Sequence, residues 1–399
     1  MRNFIFISPH FPDHFWCFVR ALRSNGFRVL GIGDCPYGDL SYELKTFLSD
    51  YYCCYDMQDF NREVDAVRYF RDKYGEIEYI ESLNEFWLEK DARLREIFDV
   101  KKGVRPDELV YWQKKSLMKI RYQEAGLKTA KYTLVGDKSD LINFINEVGY
   151  PVFIKPNIGV GAAGDYKIKD ENDLDDYYKY RDESVEYICE QYLTGNIISF
   201  DGIADEDSNV VFAASNFFPP SIANIVQGRK DLFYYTLPTV PLMLMEIGEK
   251  TIKAFKVKQR YFHLEFFMLT EDVPGFAKKG EIIPLETNMR CAGGYTPHMI
   301  NYANSIDTYQ IYADIMAYNE TSQQSIGGHF FCACGSRRDG VNYEHSDYDI
   351  LDRYQSCLCM SGRYADVLSG AMGNRYFIAK FTTEEDMENF KEYVEMRYE

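Results

Sequence analysis

Two short runs in the last third of the chain constrain its fold more than any other feature. The first, 260–269, sets His263 and Glu265 among Phe262, Leu264 and Phe266. The second, 282–290, sets Glu286, Asn288 and Arg290 after Ile282, Ile283 and Leu285. Polar groups framed by apolar ones in this way read as two adjacent strands that aim their acids at one site. Glu286 and Asn288 are two residues apart and so share a strand face, which Arg290 continues. Charges on such strands need partners, because an unpaired buried charge is costly. Two carboxylates and an amide oxygen suit a hard cation such as Mg²⁺, which usually shares its shell with substrate phosphates. With a fixed cationic fork beside it, the set Glu265, Glu286, Asn288 and Arg290 is a phosphoryl-transfer constellation.

With 399 residues the chain has room for two or three domains of about 150 residues. Its net charge of −17 argues against nucleic acid or an anionic membrane as partner, whereas Mg-nucleotide stays open because a metal and a few lysines offset the field locally. No run reaches the ~18 apolar residues of a membrane span. The N-terminal run 3–7 is too short for an export signal and reads as a first strand. The expected setting is therefore cytoplasmic, with ten reduced cysteines. Cys332 and Cys334 alternate, as do Cys357 and Cys359; C-x-C pairs in apolar runs are read as core packing, since zinc knuckles use wider spacings. Arg337 and Arg338 are read as a solvated turn.

Strands at 4–7, 27–32, 51–55 and 77–81 alternate with helices at 11–25 and 64–74, which predicts a parallel α/β unit to about residue 100. It lacks the G-x-G-x-x-G turn of a dinucleotide site. A helix over 107–125 follows, then a smaller segment with a strand at 132–135, a helix at 140–148 and a strand at 151–156 bearing Lys155 near its end. The loop 159–164 holds three glycines and two alanines, so its backbone N–H groups can approach phosphates, although it is not a P-loop. The strand 187–193 carries one acid, Glu190. A hairpin over 198–214, helices at 243–255 and 307–319, and a last segment of strands ending in a helix at 384–398 complete the pattern.

In order and spacing, H-x-E, E-x-N-x-R, the strand-end lysine and the glycine loop resemble the ATP-grasp superfamily, from the N-terminal unit to about residue 320. Among its branches they are most similar to the biotin-carboxylase and carbamoyl-phosphate-synthetase type and the related carboxylate–amine ligases. The resemblance implies an ATP-grasp fold of α/β and α+β class. It would comprise an N-terminal parallel α/β (pre-ATP-grasp) domain at 1–110, a small central lid at 111–187, a C-terminal mixed-sheet catalytic domain at 188–325 and an α+β segment at 326–399.

The resemblance also implies site roles. Glu265, Glu286 and Asn288 would hold one or two Mg²⁺ ions, or Mn²⁺, against ATP. Lys155 would contact the α/β-phosphates, and Gly161, Ala162, Ala163 and Gly164 would close over them. Glu190 would meet the adenine amino group, with Gln191, Tyr192 and Leu193 along the adenine edge. Lys115 and Lys119 both occupy spacings where relatives carry a nucleotide lysine. Arg290 would hold the substrate carboxylate and stabilise its acyl phosphate. Two departures stand out: alanines replace a common flap serine, and no acid follows Gly195 to take the ribose, leaving Asp201 or Asn196 as replacements.

The implied activity is an ATP- and Mg-dependent, ADP-forming ligation of a small-molecule carboxylate to an amine, with a homodimer compatible. The alternatives are a bicarbonate-activating carboxylase or carbamoyl-phosphate-type enzyme, and a nucleotide-binding protein without turnover. Against the last stand the intact Glu265, Glu286, Asn288 and Arg290. Substrate choice would fall to 219–235, with Arg229 and Lys230, and to 293–301, with Tyr295 and His298.

Overall fold

The run Phe4–Ile5–Phe6–Ile7 is buried on both faces, as a parallel strand between two helix layers must be. Phe4 and Phe6 pack with Phe18 of the helix Trp16–Ser24, while Ile5 and Ile7 pack with Val67 and Phe70 of the helix Phe60–Tyr74. The computed structural model describes residues 1–159, 164–219 and 231–398. Strands β1 (Arg2–Ile7), β2 (Phe27–Gly33), β3 (Asp50–Cys53) and β4 (Ile77–Glu81) pair in parallel in the order β3-β2-β1-β4. The order reverses between β1 and β4. The crevice at their carboxyl ends, between loops 8–15 and 82–87, is therefore the topological switch point of this sheet.

A second sheet of β5 (Tyr132–Leu134), β6 (Val152–Pro156), β7 (Tyr166–Ile168) and β8 (Tyr187–Gln191) runs antiparallel in the order β5-β8-β6-β7. The helices Lys138–Val148 and Glu171–Tyr180 bury Leu141, Ile145, Leu174 and Tyr177 against it. β8 runs through the boundary expected between 187 and 188.

The helix expected over 107–125 is two helices, Pro106–Gln113 and Lys115–Glu124. Lys114 between them is extended at φ −88°, ψ 108°. Asn157, just past β6, makes the break affordable in hydrogen bonds. Its carbonyl accepts from the Lys115 N–H (2.8 Å) and its Oδ1 from the Ser116 N–H (2.8 Å), so N–H groups that open the second helix are not left bare.

The large sheet contains β9 (Gly195–Ala204), β10 (Val210–Ala214), β11 (Asn216–Phe218), β12 (Phe233–Thr236), β13 (Arg260–Leu269), β14 (Ile282–Asn288), β15 (Phe331–Arg337), β16 (Leu358–Arg363) and β17 (Arg375–Phe381). Its order is β14-β13-β9-β11-β12-β15-β17-β16, with β10 paired to β9. A mixed sheet was expected here; every described pair is antiparallel. Hairpins suffice to join such strands, whereas parallel neighbours need long crossovers. Strands β15–β17, from the segment after 326, extend this same sheet. One of its faces buries Phe200, Phe262 and Leu264 beneath the helix Leu242–Ala254. The helix expected at 307–319 is Thr308–Tyr318, and Thr296–Asn304, within and beyond the stretch 293–301, forms a further helix.

Candidate active site

Register builds the site. On β13 and β14, Glu265 lies opposite Glu286 and His263 opposite Asn288. Facing residues hold their Cβ atoms about 5 Å apart, within reach of one ion. Glu265 pairs with Glu286 but Phe266 with Pro284, which leaves Leu285 as the extra residue of a bulge. β14 is the edge strand, so the ladder tolerates Pro284 there. On the other side of β13, Asp201 of β9 faces His263 and Ser199 faces Glu265.

Beneath the two acids runs a buried polar chain. His263 Nδ1 is 2.6 Å from Asp201 Oδ1, and its Nε2 is 3.3 Å from Glu265 Oε1. Asp201 also accepts from the Ser199 hydroxyl and from Asn216 Nδ2 (2.7 Å), and Thr236 Oγ1 donates to Asn216 Oδ1 (2.6 Å). Burial alone would lower the His263 imidazole, but Asp201 and Glu265 outweigh it and hold it up at about 9. Burial likewise pushes Glu265 up, yet the His263 contact keeps its carboxyl below the usual range. Asp201, considered above as a ribose ligand, is fully buried under His263 and cannot meet a sugar. The S-x-D spacing of Ser199 and Asp201 was its signal, unreadable until β9 is known to flank β13.

Lys115 and Lys119 lie one turn apart on one helix face. Taken singly they would pass for a solvent face; both are buried and both reach the site. Lys115 Nζ is 3.3 Å from Glu286 Oε1 and donates to the Gly159 carbonyl (2.9 Å). Lys119 Nζ and Lys155 Nζ each stand 3.2 Å from Glu190 Oε1. Burial pushes Glu190 up, but these two ammonium groups outweigh it, so its carboxyl sits below the ordinary range. Asp165, beside the flap, is pushed up to about 6 by burial; the sequence reading did not single it out.

Of the expected adenine edge, the Gln191 N–H is bound to the Lys131 carbonyl (2.8 Å) and its buried Oε1 has no hydrogen-bond partner. Lys167 Nζ lies over the Tyr192 ring at 3.9 Å, and Leu193 packs with Ala130, Leu269 and Ile283. Gly164 has φ +83°, a conformation that favours glycine. Gly161, Ala162 and Ala163, like Arg229 and Lys230, lie outside the described residues.

β14 ends at Asn288, so Arg290 lies just beyond it in a bend. Arg290 Nη1 donates to the Cys291 carbonyl (2.8 Å), and its Nε stands 3.6 Å from Glu85 Oε2 in the loop after β4. Nothing in the sequence marked Glu85. Tyr295 donates to Asp13 Oδ2 (2.9 Å), and His298 Nδ1 lies 2.7 Å from the Tyr309 hydroxyl. Burial pushes His298 down to about 4 and keeps it neutral.

Arg337 is not a solvated turn residue. It is buried at the end of β15, where Nε donates to the Val394 carbonyl (2.8 Å) and Nη1 to that of His345 (2.7 Å). Cys332 and Cys334 pack in an apolar cluster with Tyr234 and Ile378.

Among the described residues no three of His, Cys, Asp and Glu gather as a metal cluster. Glu265, Glu286 and Asn288 instead offer two carboxylates and an amide. That set fits Mg²⁺, which is commonly held by one or two carboxylates with waters and phosphates completing its octahedron.

Several known proteins are similar to this chain. The family model of the carbamoyl-phosphate synthase L chain, ATP binding domain, matches residues 114–217, the span from Lys114 into β11. An L-arginine-specific L-amino acid ligase of Bacillus subtilis is 20% identical over 322 residues, covering 77% of this chain and 75% of the relative. The crystal structure of an L-amino acid ligase from Bacillus licheniformis superposes with a TM-score of 0.74 at 15% identity, over 99% of this chain and 97% of that one. An N5-carboxyaminoimidazole synthetase from Staphylococcus aureus gives 0.69 at 16% identity, over 99% and 97%.

Proposed function

We propose that this chain, which belongs to the ATP-grasp superfamily, is an ADP-forming ligase that activates a small-molecule carboxylate with ATP and joins it to an amine. One observation carries the reading. Glu265 and Glu286 face each other on paired strands, with Asn288 beside them, Lys115 at Glu286, and Arg290 just past the strand end. Mg²⁺ held by Glu265, Glu286 and Asn288 would neutralise phosphate oxygens of the nucleotide. Lys115, Lys119 and Lys155 add positive charge from the other side of the site. Glu190 holds two of these ammonium groups in a dry setting where their charge acts strongly.

A carboxylate repels nucleophiles; transfer of the γ-phosphoryl group turns it into an acyl phosphate with a good leaving group. That transfer is mainly positional and electrostatic work. Arg290 would orient the acid through a bidentate contact and later bind the oxyanion as the amine attacks. The domain division proposed for the sequence gives the central sheet the role of a lid that excludes water, since hydrolysis of the acyl phosphate is the competing reaction. Among the described residues no helix is long and apolar enough to cross a membrane, and small molecules are the partners that fit. The amino-acid ligase likenesses make amino acids the first acids and amines to test.

The test is release of ADP and phosphate with Mg²⁺ and pools of amino acids, dipeptides and small carboxylic acids. Turnover that requires both an acid and an amine is expected. Glu286→Gln should lower it by about 10²–10³-fold, the usual cost of losing one group that stabilises transition-state charge. Turnover that needs bicarbonate and no other acid would overturn the ligase reading.

A further inference from the structure

Two thiols meet at the carboxyl edge of the parallel sheet, outside the set of residues assigned above. We propose that Cys35 and Cys53 are a redox pair. They close a reversible disulfide on reaction with a small-molecule disulfide, and the bond locks the loop 8–15 at the switch-point crevice. The proposal stands apart from the ligase reading.

The sheet sets the pair up. β2 and β3 run parallel with Gly33 opposite Cys53, and the Cys54 N–H donates to the Gly33 carbonyl (2.7 Å). Strands so paired lie about 5 Å apart. Past Gly33 the chain bends at Asp34 and Cys35, and Pro36 opens the short turn Tyr37–Asp39. The bend folds over one face of β3. Tyr51 and Cys53, two residues apart, share that face. The Tyr51 hydroxyl donates to the Cys35 carbonyl (2.6 Å), while the Cys53 thiol lies 3.5 Å from the same oxygen and 4.0 Å from the Asp34 carbonyl. The Cys35 thiol stays at the bend, 3.5 Å from the Pro36 carbonyl. A thiol is a weak donor, so these contacts yield readily to a covalent bond.

Exposure separates this pair from most other thiols of the chain. Cys35 and Cys53 are half-buried and within reach of a small disulfide, whereas the rest, Cys357 and Cys359 apart, are buried. Cys54, next along β3, takes the opposite face and donates to the Asp56 carbonyl at 3.7 Å. Cys357 and Cys359 bind carbonyls of their own segment, those of Tyr354 (3.4 Å) and Cys357 (3.6 Å). Burial, with Asp39 and Asp34 adding to it, holds the Cys35 thiol above its usual range, so the first attack falls to Cys53.

The step balances. Cys53 gives its proton to water, and its thiolate attacks one sulfur of the small disulfide. The S–S bond breaks, and one thiolate leaves and takes up a proton. Cys35, deprotonated in turn, attacks Cys53 Sγ and expels the second thiolate. Two protein thiols are oxidised and one disulfide is reduced to two thiols.

The bond would fix the bend to β3, and the bend carries the lock. Asp34 Oδ1 stands 3.0 Å from His10 Nε2, and the His10 ring rests on Gly33, where an added methyl would strike it. His10 belongs to the loop 8–15, whose Asp13 accepts from Tyr295 (2.9 Å), five residues past Arg290.

The test is oxidised glutathione added to the whole chain, read by mass spectrometry. The intact mass should fall by about 2 Da, the two hydrogens lost, and return on reduction. Proteolysis without reductant should join the peptides that hold Cys35 and Cys53. In Cys35→Ser the reaction should stop at a glutathione adduct on Cys53, and in Cys53→Ser the cross-link should be absent. Amide exchange in 8–15 and 34–39 should slow in the oxidised wild type and stay unchanged in Cys53→Ser. A lasting glutathione adduct on wild-type Cys53, a cross-link to another cysteine in place of this one, or no reaction would overturn the redox pair. A Cys35–Cys53 bond that leaves exchange in 8–15 unaltered would overturn the lock.

Discussion

In the proposed metal site, His263 and Asp201 show how deeply the groups that would touch the ion are supported from below. Glu265 can hold one orientation only if His263 does, and His263 is fixed from below by an Asp201 that is itself held by Ser199 and Asn216. Partners at this remove typically change metal affinity 10–100-fold when altered. Asp201→Asn is therefore expected to raise the Mg²⁺ concentration for half-maximal turnover by about that factor; an unchanged Mg²⁺ requirement would show that His263 does not need its anion. That Glu265 and Glu286 share paired strands was legible because H-x-E and E-x-N repeat with the period of a strand, whereas Asp201 became meaningful only through the β9–β13 register. Glu85 had no signal at all, since a loop acid acquires its neighbour through tertiary contact.

Away from the site, Glu63 gives a pH test with a definite sign. It is fully buried, and burial pushes it up to about 7 despite Lys90 at 3.4 Å. An unfolded chain releases that proton near ~4.3, so the folded state holds the extra proton between the two values and stability falls as pH rises through this window. Glu63→Gln should remove the slope, so that its melting temperature gains on the wild type between about pH 5 and pH 8; parallel profiles would refute the assignment.

Elements carried most of their information in periodicity, and the places where periodicity misled are places of tertiary override. The pattern over 107–125 is helical throughout, yet Lys114 is extended because Asn157 captures the N–H groups of Lys115 and Ser116 and presents Lys115 and Lys119 to the acids. The edge strand β14 was legible from its apolar frame, but its bulge at Leu285 was not, since a bulge is a property of a pair. The helix Leu242–Ala254 meets β9 through Gly248, where an added methyl would be driven into the Phe200 ring. Helix propensity alone favours Gly248→Ala by about 1 kcal/mol. Overpacking a well-packed core costs about 1–3 kcal/mol, and a ring wedged between two elements has little room to yield. The substitution should therefore destabilise, with a lower midpoint in urea. A rise in the midpoint would mean that the helix can lift off the sheet at little cost.

At the scale of the whole molecule, one buried acid couples the parallel sheet to β13 of the large sheet. Glu81 ends β4 and Arg260 begins β13. Glu81 Oε2 accepts from both Nη atoms of Arg260, the Nη1 bond at 2.8 Å, while Oε1 lies 2.9 Å from Nη2 of Arg95. All three side chains are buried, and Arg95 donates further to the carbonyls of Ile80 and Val104 (2.9 Å each). No single-strand pattern could reveal this link, because its members lie up to 179 residues apart. Losing Glu81 leaves the buried Arg260 guanidinium without this anion and Arg95 with only Asp91 at 3.9 Å, and removing one partner of a buried pair costs about 3–5 kcal/mol. Glu81→Gln should therefore unfold well below the wild type. Its kinetic signature should be selective, because the loop that carries Glu85, the neighbour of Arg290, springs directly from Glu81, whereas Lys119, Lys155 and Glu190 are held by the central sheet and its own helix. At a temperature where the variant is still folded, the KM of the carboxylate should rise more than that of ATP. Equal changes in both would show that the Glu81 link sets stability alone, and that the parallel sheet places its Glu85 loop by other contacts.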